Sequence, residues 1–309
     1  MKVTKDKFKT IGQTLKWISK LFKNVGIINP ERETEVLLSY FLKMNKSEIY
    51  INSDKLLKNK EKRQLEKMIQ KRMEKIPLQY ITKHQEFMGM DFLVEKGVFI
   101  PRPETEILVE RVLEKLKTIK SSSNLKIADL GTGSGIIAIS IAQFIQDITI
   151  YATDISKKSL KLAFKNARKH SCEDKIIFLQ GDLFEAFIEK IEKNSLDGII
   201  SNPPYINSDD FKSLPLEIKE NEPEITLYGG VDGIDYHRKI IQESPEFLKR
   251  DGLIALEVGV GQAKIIKELI LKEGNYRKNI EIFKDYSDIE RVVIAYRKSA
   301  KRKAKNAKL

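Results

Sequence analysis

The chain has 309 residues, enough for one large or two modest domains with a genuine core, and its 41% hydrophobic and 32% charged content is that of a globular chain in water. No uninterrupted apolar run approaches the ~20 residues of a membrane span, and the opening MKVTKDKFKT lacks the apolar stretch of a secretory leader. One cysteine, Cys172, excludes an internal disulfide and fits a reducing cytoplasm; His84, His170 and His237 have no ligand spacing, so no metal is expected.

Residues 8–24 set Phe8, Ile11, Leu15, Ile18, Leu21 and Phe22 at three-to-four spacing, which predicts an amphipathic helix. Asn29 as N-cap and Pro30 in the first turn open a second helix, with Val36, Leu37, Tyr40, Phe41 and Leu42 as its apolar face. A third helix is predicted over about 55–75, with Leu65, Met68, Ile69 and Met73 inward, and Pro77 ends the bundle. At 80–100 the period changes: QEFMGMDFLVEKGVFI reads as a β-hairpin, with Gly89 and Lys96-Gly97 at the turns. A helix begins after Pro103, with Glu104 and Glu106 in its first turn, and residues 121–124 read as a flexible joint.

From 125 onward strands and helices alternate. LKIADL, ITIYATD, KIIFLQ and LDGIIS are separated by a helix from about 134, another from 157 and a short one before 196. GLIALEV at 252–258, a helix at 262–272 and two strands near 280–284 and 291–296 complete the series. Short apolar strands alternating with helices predict a mostly parallel α/β sheet covered on both faces.

The first strand of this region runs into Asp129-Leu130-Gly131-Thr132-Gly133-Ser134-Gly135, and a helix follows. Glycines allow a tight turn and close approach of the backbone to a ligand, and the helix N-terminus offers free N–H groups. The next strand ends at Asp154, 23 residues after Gly131, where an acid accepts ribose hydroxyls. The spacing is neither that of a dinucleotide loop nor that of a triphosphate loop, and Asp129 suits a cationic ligand better than a pyrophosphate. This cradle resembles motif I of Rossmann-like S-adenosylmethionine-dependent methyltransferases. Asp182, at the end of the third strand, is positioned for the adenine amino group. For Leu183 and Phe184 two readings stand side by side, the adenine face or the core of the following helix.

The fourth strand ends in Ser201-Asn202-Pro203-Pro204-Tyr205-Ile206. Two prolines fix the backbone and end the strand, and carboxyl ends of parallel strands line the ligand crevice of such sheets. The Asn202 side-chain oxygen and the Pro203 carbonyl can each accept one N–H of a planar NH₂ group, and the Tyr205 ring can pack on its flat face. The ordered series Pro77-Leu78-Gln79-Tyr80-Ile81-Thr82, PRPETE at 101–106, DLGTGSG, SNPPYI, Glu222-Pro223 and GGVDG at 229–233 closely resembles the release factor glutamine methyltransferase (PrmC/HemK) family, over nearly the whole chain up to about 296.

The resemblance implies a seven-stranded, Rossmann-like methyltransferase sheet, α/β and mostly parallel, with a small N-terminal helical bundle and a hairpin linker. It divides the chain into a helical substrate-recognition domain at 1–78, a linker at 79–102, a methyltransferase domain at 103–297 and a basic tail at 298–309. It implies S-adenosylmethionine as cofactor, held by Gly131, Thr132, Gly133, Ser134, Gly135, Asp154, Asp182, Leu183 and Asn202. Asn202, Pro203, Pro204 and Tyr205 would bind the substrate, with Asn202, Pro203 and Tyr205 as the catalytic group. The implied substrate is the glutamine of the GGQ motif in class-1 peptide chain release factors. Arg102 and Glu104 order the cleft entrance or form an ordinary helix N-terminal ion pair.

The net charge of +12 is unevenly spread. Residues 1–85 carry a net +11 and 297–309 a net +7, whereas 86–296 carry −6. A duplex-binding enzyme needs a basic cleft around its target base. The division therefore favours a protein substrate over the alternative, adenine-amine methylation of DNA or RNA, and the basic helical domain suits an acidic protein surface or RNA on the ribosome. No stable nucleic-acid partner and no membrane are expected, and a cytoplasmic monomer is the simplest reading.

Overall fold

A computed structural model describes residues 9–118 and 124–299. Phe8, the Ser121–Ser123 part of the joint and the tail beyond 299 lie outside the described residues. The chain divides into two compact units, Met1–His84 with Pro215–Asn221, and Gln85–Leu214 with Glu222–Leu309.

The first unit holds α1 (Ile11–Asn24), α2 (Pro30–Leu42), α3 (Lys46–Ile51), α4 (Asn59–Met73) and α5 (Leu78–Thr82). Thr10 and Gln13 cap α1 reciprocally, each side chain taking the other's backbone N–H, and Ile11, Ile18, Leu21 and Phe22 are buried. The cap expected at the start of α2 is absent. Asn29 adopts a left-handed backbone, φ 55°, and makes no side-chain cap, so Pro30 alone sets the helix start. The buried face of α2 is Thr34, Leu37 and Leu38, while Val36 and Tyr40 are 44% and 40% exposed. Helical period puts 34, 37, 38 and 41 on one face and swings 36 and 40 to its flank.

The short α3 was not anticipated, although its capping box, Asn45 with Glu48, is written in the sequence. In α4, Leu65 and Ile69 are buried and Met68 and Met73 half-buried, as the periodicity predicts. Buried Arg72 is the feature it does not predict. Its Nη2 donates to Glu33 at 2.9 Å and its Nη1 pairs with Glu217 at 3.0 Å. Pro77 does not end the bundle, because α4 has already stopped at Met73. It stands instead at the N-terminus of α5, where a missing N–H costs nothing.

The division between the units falls just after the first residue of β1 (His84–Phe87), which forms a hairpin with β2 (Met90–Leu93), turning at Gly89 with φ +70°. Then follow α6 (Thr105–Thr118), β3 (Leu125–Leu130), α7 (Ile136–Phe144), β4 (Ile148–Asp154), α8 (Lys157–Lys169), β5 (Ile176–Gln180) and β6 (Leu196–Ser201). After α9 (Ser208–Ser213) comes α10 (Leu216–Lys219), which lies in the segment grouped with the first unit. The series ends with α11 (Asp235–Phe247), β7 (Leu248–Glu257), α12 (Ala263–Glu273), β8 (Glu281–Lys284) and β9 (Glu290–Tyr296). Helix α11 is not in the sequence reading: Pro245 and a polar surface mask it, and a proline in the last turn only marks where β7 begins.

The seven strands lie in the order β5-β4-β3-β6-β7-β9-β8, parallel except for β9, which runs antiparallel to both its neighbours. Alternation along the strands feeds two apolar layers. Ile127, Ile200, Leu253 and Val292 join residues of α6 and α7 on one face; Ala128, Ile199, Ile254 and Val293 join residues of α11 and α12 on the other. The chain leaves β3 to build β4 and β5 on one side, then returns to build β6 and β7 on the other. The carboxyl ends of β3 and β6 therefore flank the switch point, the place where open sheets of this kind bind ligands.

Candidate active site

At the end of β3 the glycine loop alternates in exposure. Gly131 is exposed and Gly133 half-buried, while Thr132, Ser134 and Gly135 point inward. Gly131 and Gly133 have φ of +72° and +57°, and a Cβ on either would meet no atom within 4 Å. That open space is a cradle which side chains would fill, so it is the backbone that faces a ligand here. Gly135 serves packing instead: a Cβ there would stand 2.8 Å from Ile139 and 3.0 Å from Ala163. Asn166 of α8 donates to the Ser134 carbonyl at 2.9 Å and bonds both backbone groups of Leu93, tying loop, helix and hairpin together.

Two acids brace this loop. Asp154, at the end of β4, accepts the Gly133 N–H at 2.9 Å and the Ser156 N–H at 2.8 Å, and burial raises its pKa. Asp129 is wholly buried. Its Oδ2 accepts the Thr132 hydroxyl at 2.6 Å and the Ala138 N–H at 3.2 Å, and its Oδ1 has no partner among the described residues. Burial pushes its carboxyl up to about 7. A buried carboxylate with one orphaned oxygen, beside an open backbone cradle, fits a ligand that carries positive charge.

At the end of β5, Asp182 is half-buried and pairs with Lys239 at 3.4 Å. Leu183 and Phe184 part company. Phe184 is 3% exposed and stacks on Phe247 at 5.3 Å, so its place is the core. Leu183 is half-buried with φ 46°, a left-handed conformation that costs a side-chain-bearing residue energy.

The corner at 202–205 is held from several sides. Ser201 donates to the Leu130 carbonyl at 2.7 Å, locking the end of β6 to that of β3. Gln262 donates to the Tyr205 carbonyl at 2.9 Å and accepts the Gly259 N–H at 2.8 Å. The 229–233 loop lies flush against the corner: a Cβ on Gly229 would stand 2.6 Å from the Pro204 carbonyl, and one on Gly233 2.5 Å from that of Tyr205. Asn202 Nδ2 donates to the Thr105 hydroxyl at 3.0 Å. Neither Asn202 Oδ1 nor the Pro203 carbonyl accepts a hydrogen bond among the described residues.

Residues 13–82 match the family model of the PrmC N-terminal domain, and 90–217 match that of the methyltransferase small domain. A release factor glutamine methyltransferase from Clostridium acetobutylicum is 40% identical over 86% of this chain and 90% of its own length. One from Bacillus anthracis is 35% identical over 92% of this chain and 98% of its own. The chain belongs to the release factor glutamine methyltransferase family. The crystal structure of a release-factor-specific protein-(glutamine-N5) methyltransferase from Alicyclobacillus acidocaldarius is 27% identical, covering 65% of this chain and 95% of that one with a TM-score of 0.39.

Within this member of the release factor glutamine methyltransferase family, the tertiary structure brings forward residues the sequence reading passed over. Thr105 lies inside the quoted PRPETE stretch and is fully buried against Asn202. Glu257, the last residue of β7, is 1% exposed, and Tyr205 donates to its Oε1 at 3.3 Å. An acid at the carboxyl end of a parallel strand is a readable signal, the same one that marks Asp154. His237 of α11, fully buried, has its Nε2 2.8 Å from the Glu257 carbonyl, and burial holds its pKa down at about 4. Of the two readings offered for Arg102, the helix N-terminal pair gives way. Arg102 lies over the Phe99 ring and pairs with buried Glu222, which also accepts the Ile100 N–H at 3.1 Å. That pair latches the 101–103 stretch to Glu222-Pro223.

Proposed function

We propose that the protein methylates the side-chain amide nitrogen (N5) of a glutamine in class-1 peptide chain release factors, the glutamine of their GGQ motif. One observation carries the reading: the Asn202 amide is anchored through its nitrogen, while among the described residues its oxygen and the neighbouring Pro203 carbonyl stay unengaged. Two acceptors side by side on a stiff corner match the two coplanar N–H groups of a primary carboxamide.

S-adenosylmethionine, when bound, supplies a methyl carbon made electrophilic by its sulfonium. Gly131, Thr132, Gly133 and Ser134 would hold it through their backbone, with Gly135 closing the turn against Ile139 and Ala163, Asp154 through the ribose hydroxyls, Asp182 and Leu183 at the adenine, and Asn202 from the substrate side. Asn202 Oδ1 and the Pro203 carbonyl each take one N–H of the glutamine and fix the plane of its amide. Pro204 and Tyr205 wall the site. The Tyr205 phenol is kept protonated by burial and by the charge of Glu257, so it packs on the amide face and does not act as a base. An amide nitrogen is a poor nucleophile, and what the corner contributes is orientation in line with the methyl carbon, with acceptors already in place. Its proton becomes acidic once the new N–C bond forms, so no strong base is required.

On this reading residues 1–78 recognise the substrate, 79–102 link, 103–297 carry out the transfer and 298–309 form a basic tail. The enzyme acts as a cytoplasmic monomer with no lasting nucleic-acid partner, and no helix among the described residues is long and apolar enough to cross a membrane. Incubation with methyl-labelled cofactor and an unmethylated release factor, genomic DNA or ribosomal RNA tests the proposal. Label on the factor's glutamine is expected. Label on a nucleic acid with an unlabelled factor overturns it in favour of amine methylation on a base.

A further inference from the structure

Strand β7 runs between β6 and β9 and hands the chain to α12 through residues 257–262. Leu256 is paired with Ser201, so Glu257 and Asn202 leave the sheet side by side, while Glu257 stays paired with Val292 on its other flank. His237 of α11 donates to the Glu257 carbonyl at 2.8 Å and pins this strand end from a second direction. Three points of the short segment touch Tyr205. Gln262 donates to its carbonyl at 2.9 Å. Gly259 lies against the ring edge, where a Cβ would stand 3.1 Å from Cδ2. Glu257 Oε1 accepts the phenol O–H at 3.3 Å.

The three contacts do different things. A tether on the carbonyl fixes the Tyr205 backbone but leaves the ring free to turn, because the second side-chain torsion of a tyrosine has a broad, two-fold well. A contact at one ring edge and a hydrogen bond at the far tip define the ring plane between them. Glu257 is buried, its Oε2 has no hydrogen-bond partner among the described residues, and burial pushes its carboxyl up to about 7. A buried acid with an orphaned oxygen costs stability that an apolar residue in its place would not. The side chain it serves is the half-buried Tyr205, two residues from Pro203. Either protonation state of the carboxyl keeps a lone pair for the phenol, which burial holds protonated.

We propose that residues 257–262 set the plane of the Tyr205 ring, with Glu257 and Gly259 as positioning residues for the flat amide that the corner receives. The inference rests on the reading of this site as a glutamine methyltransferase and deepens it: the wall facing the amide is aligned by the turn between β7 and α12, not by the proline corner alone.

The test uses the full chain, an unmethylated release factor and labelled cofactor. Gly259→Ala puts a Cβ 3.1 Å from the ring and 2.9 Å from Gln262 Oε1, so the ring or its tether must shift. Its kcat should fall roughly ten- to a hundredfold. Glu257→Met removes the acceptor and should cost about tenfold in kcat, whereas Glu257→Gln keeps a carbonyl oxygen there and should stay within about threefold of wild type. Tyr205→Phe keeps the ring, loses the O–H and should match Glu257→Met. The double variant Tyr205→Phe/Glu257→Met should be no slower than either single one, since each cuts the same bond. KM for the factor and cofactor Kd should stay within about threefold throughout, because ring orientation acts on the reacting amide and leaves the glycine cradle alone. Unchanged kcat in Gly259→Ala or Glu257→Met, glutamine as damaging as methionine, or losses that multiply in the double variant each overturn the proposal. Melting curves show which variants fold; should Glu257→Met not, Tyr205→Phe and Gly259→Ala decide, and both must lose kcat for the proposal to stand. Wild-type label on a base amine in place of the factor sinks the functional reading alone. Such an amine is equally flat, and the same variant ratios measured on it uphold or overturn the positioning claim.

Discussion

Asp129 sits wholly inside the protein, and its two oxygens keep unequal company: among the described residues Oδ2 takes two hydrogen bonds and Oδ1 none. Burial, reinforced by the nearby charge of Asp154, raises its folded pKa to about 7 from an ordinary 3.8. Folding therefore favours the protonated acid, and its contribution to stability is present below the ordinary value and lost as pH rises through about 7. Asp129→Asn can keep both bonds through its amide oxygen and carries no charge. Its melting temperature relative to wild type should shift in the variant's favour from about pH 4 to about pH 8, while affinity for the cationic cofactor falls. Thermal melts across that range, with cofactor titrations, check both arms. Asn202→Ala removes one of the two free acceptors: cofactor binding should survive and turnover should drop by about 10²–10³, the usual cost of one preorganised polar contact at a reacting centre. Turnover within a few fold of wild type would remove Asn202 from the mechanism.

At the scale of elements, the stiffness of the 202–205 corner comes only partly from its two prolines. The glycine loop at 229–233 presses on the Pro204 and Tyr205 carbonyls, and Gln262 at the start of α12 stitches the Tyr205 carbonyl to Gly259. Gly229→Ala should push the corner out of line, because its Cβ would stand 2.6 Å from the Pro204 carbonyl and 2.7 Å from the Tyr205 Cα. A misplacement of that order costs about a hundredfold in kcat with the fold intact, readable in steady-state kinetics beside a circular dichroism spectrum. The order of strands and helices from 125 onward was legible because each is a short apolar run or an amphipathic stretch bounded by turn residues. Helix α11 was not, since Pro245 breaks its pattern in the very turn where the helix ends. The second reading for Phe184 prevailed, as its ring is claimed by Phe187, three residues on, and by Phe247, a partner that sequence distance hides.

For the whole molecule, the two compact units carry different charge and different kinds of core, one made of helix faces and one of a covered sheet. The first unit takes in Pro215–Asn221 from far along the chain, and Glu217 of that segment pairs with Arg72. Arg72→Ala strands Glu33 and Glu217 without a cation. Both acids are partly exposed, so the loss should be about 2 kcal/mol, below the roughly 3–5 of a fully buried pair. Chemical denaturation should register that loss while cofactor affinity stays unchanged. The sequence by itself determined what is local: helix and strand periods, the glycine cradle with its acid 23 residues on, the proline corner, and the ordered motifs that mark the family. Only the tertiary structure decided which buried groups serve those motifs, because Thr105, Glu257 and Gln262 are set against the corner by long-range packing. A hydrogen bond between residues 97 positions apart, such as that of Asn202 with Thr105, leaves no periodic trace in the chain.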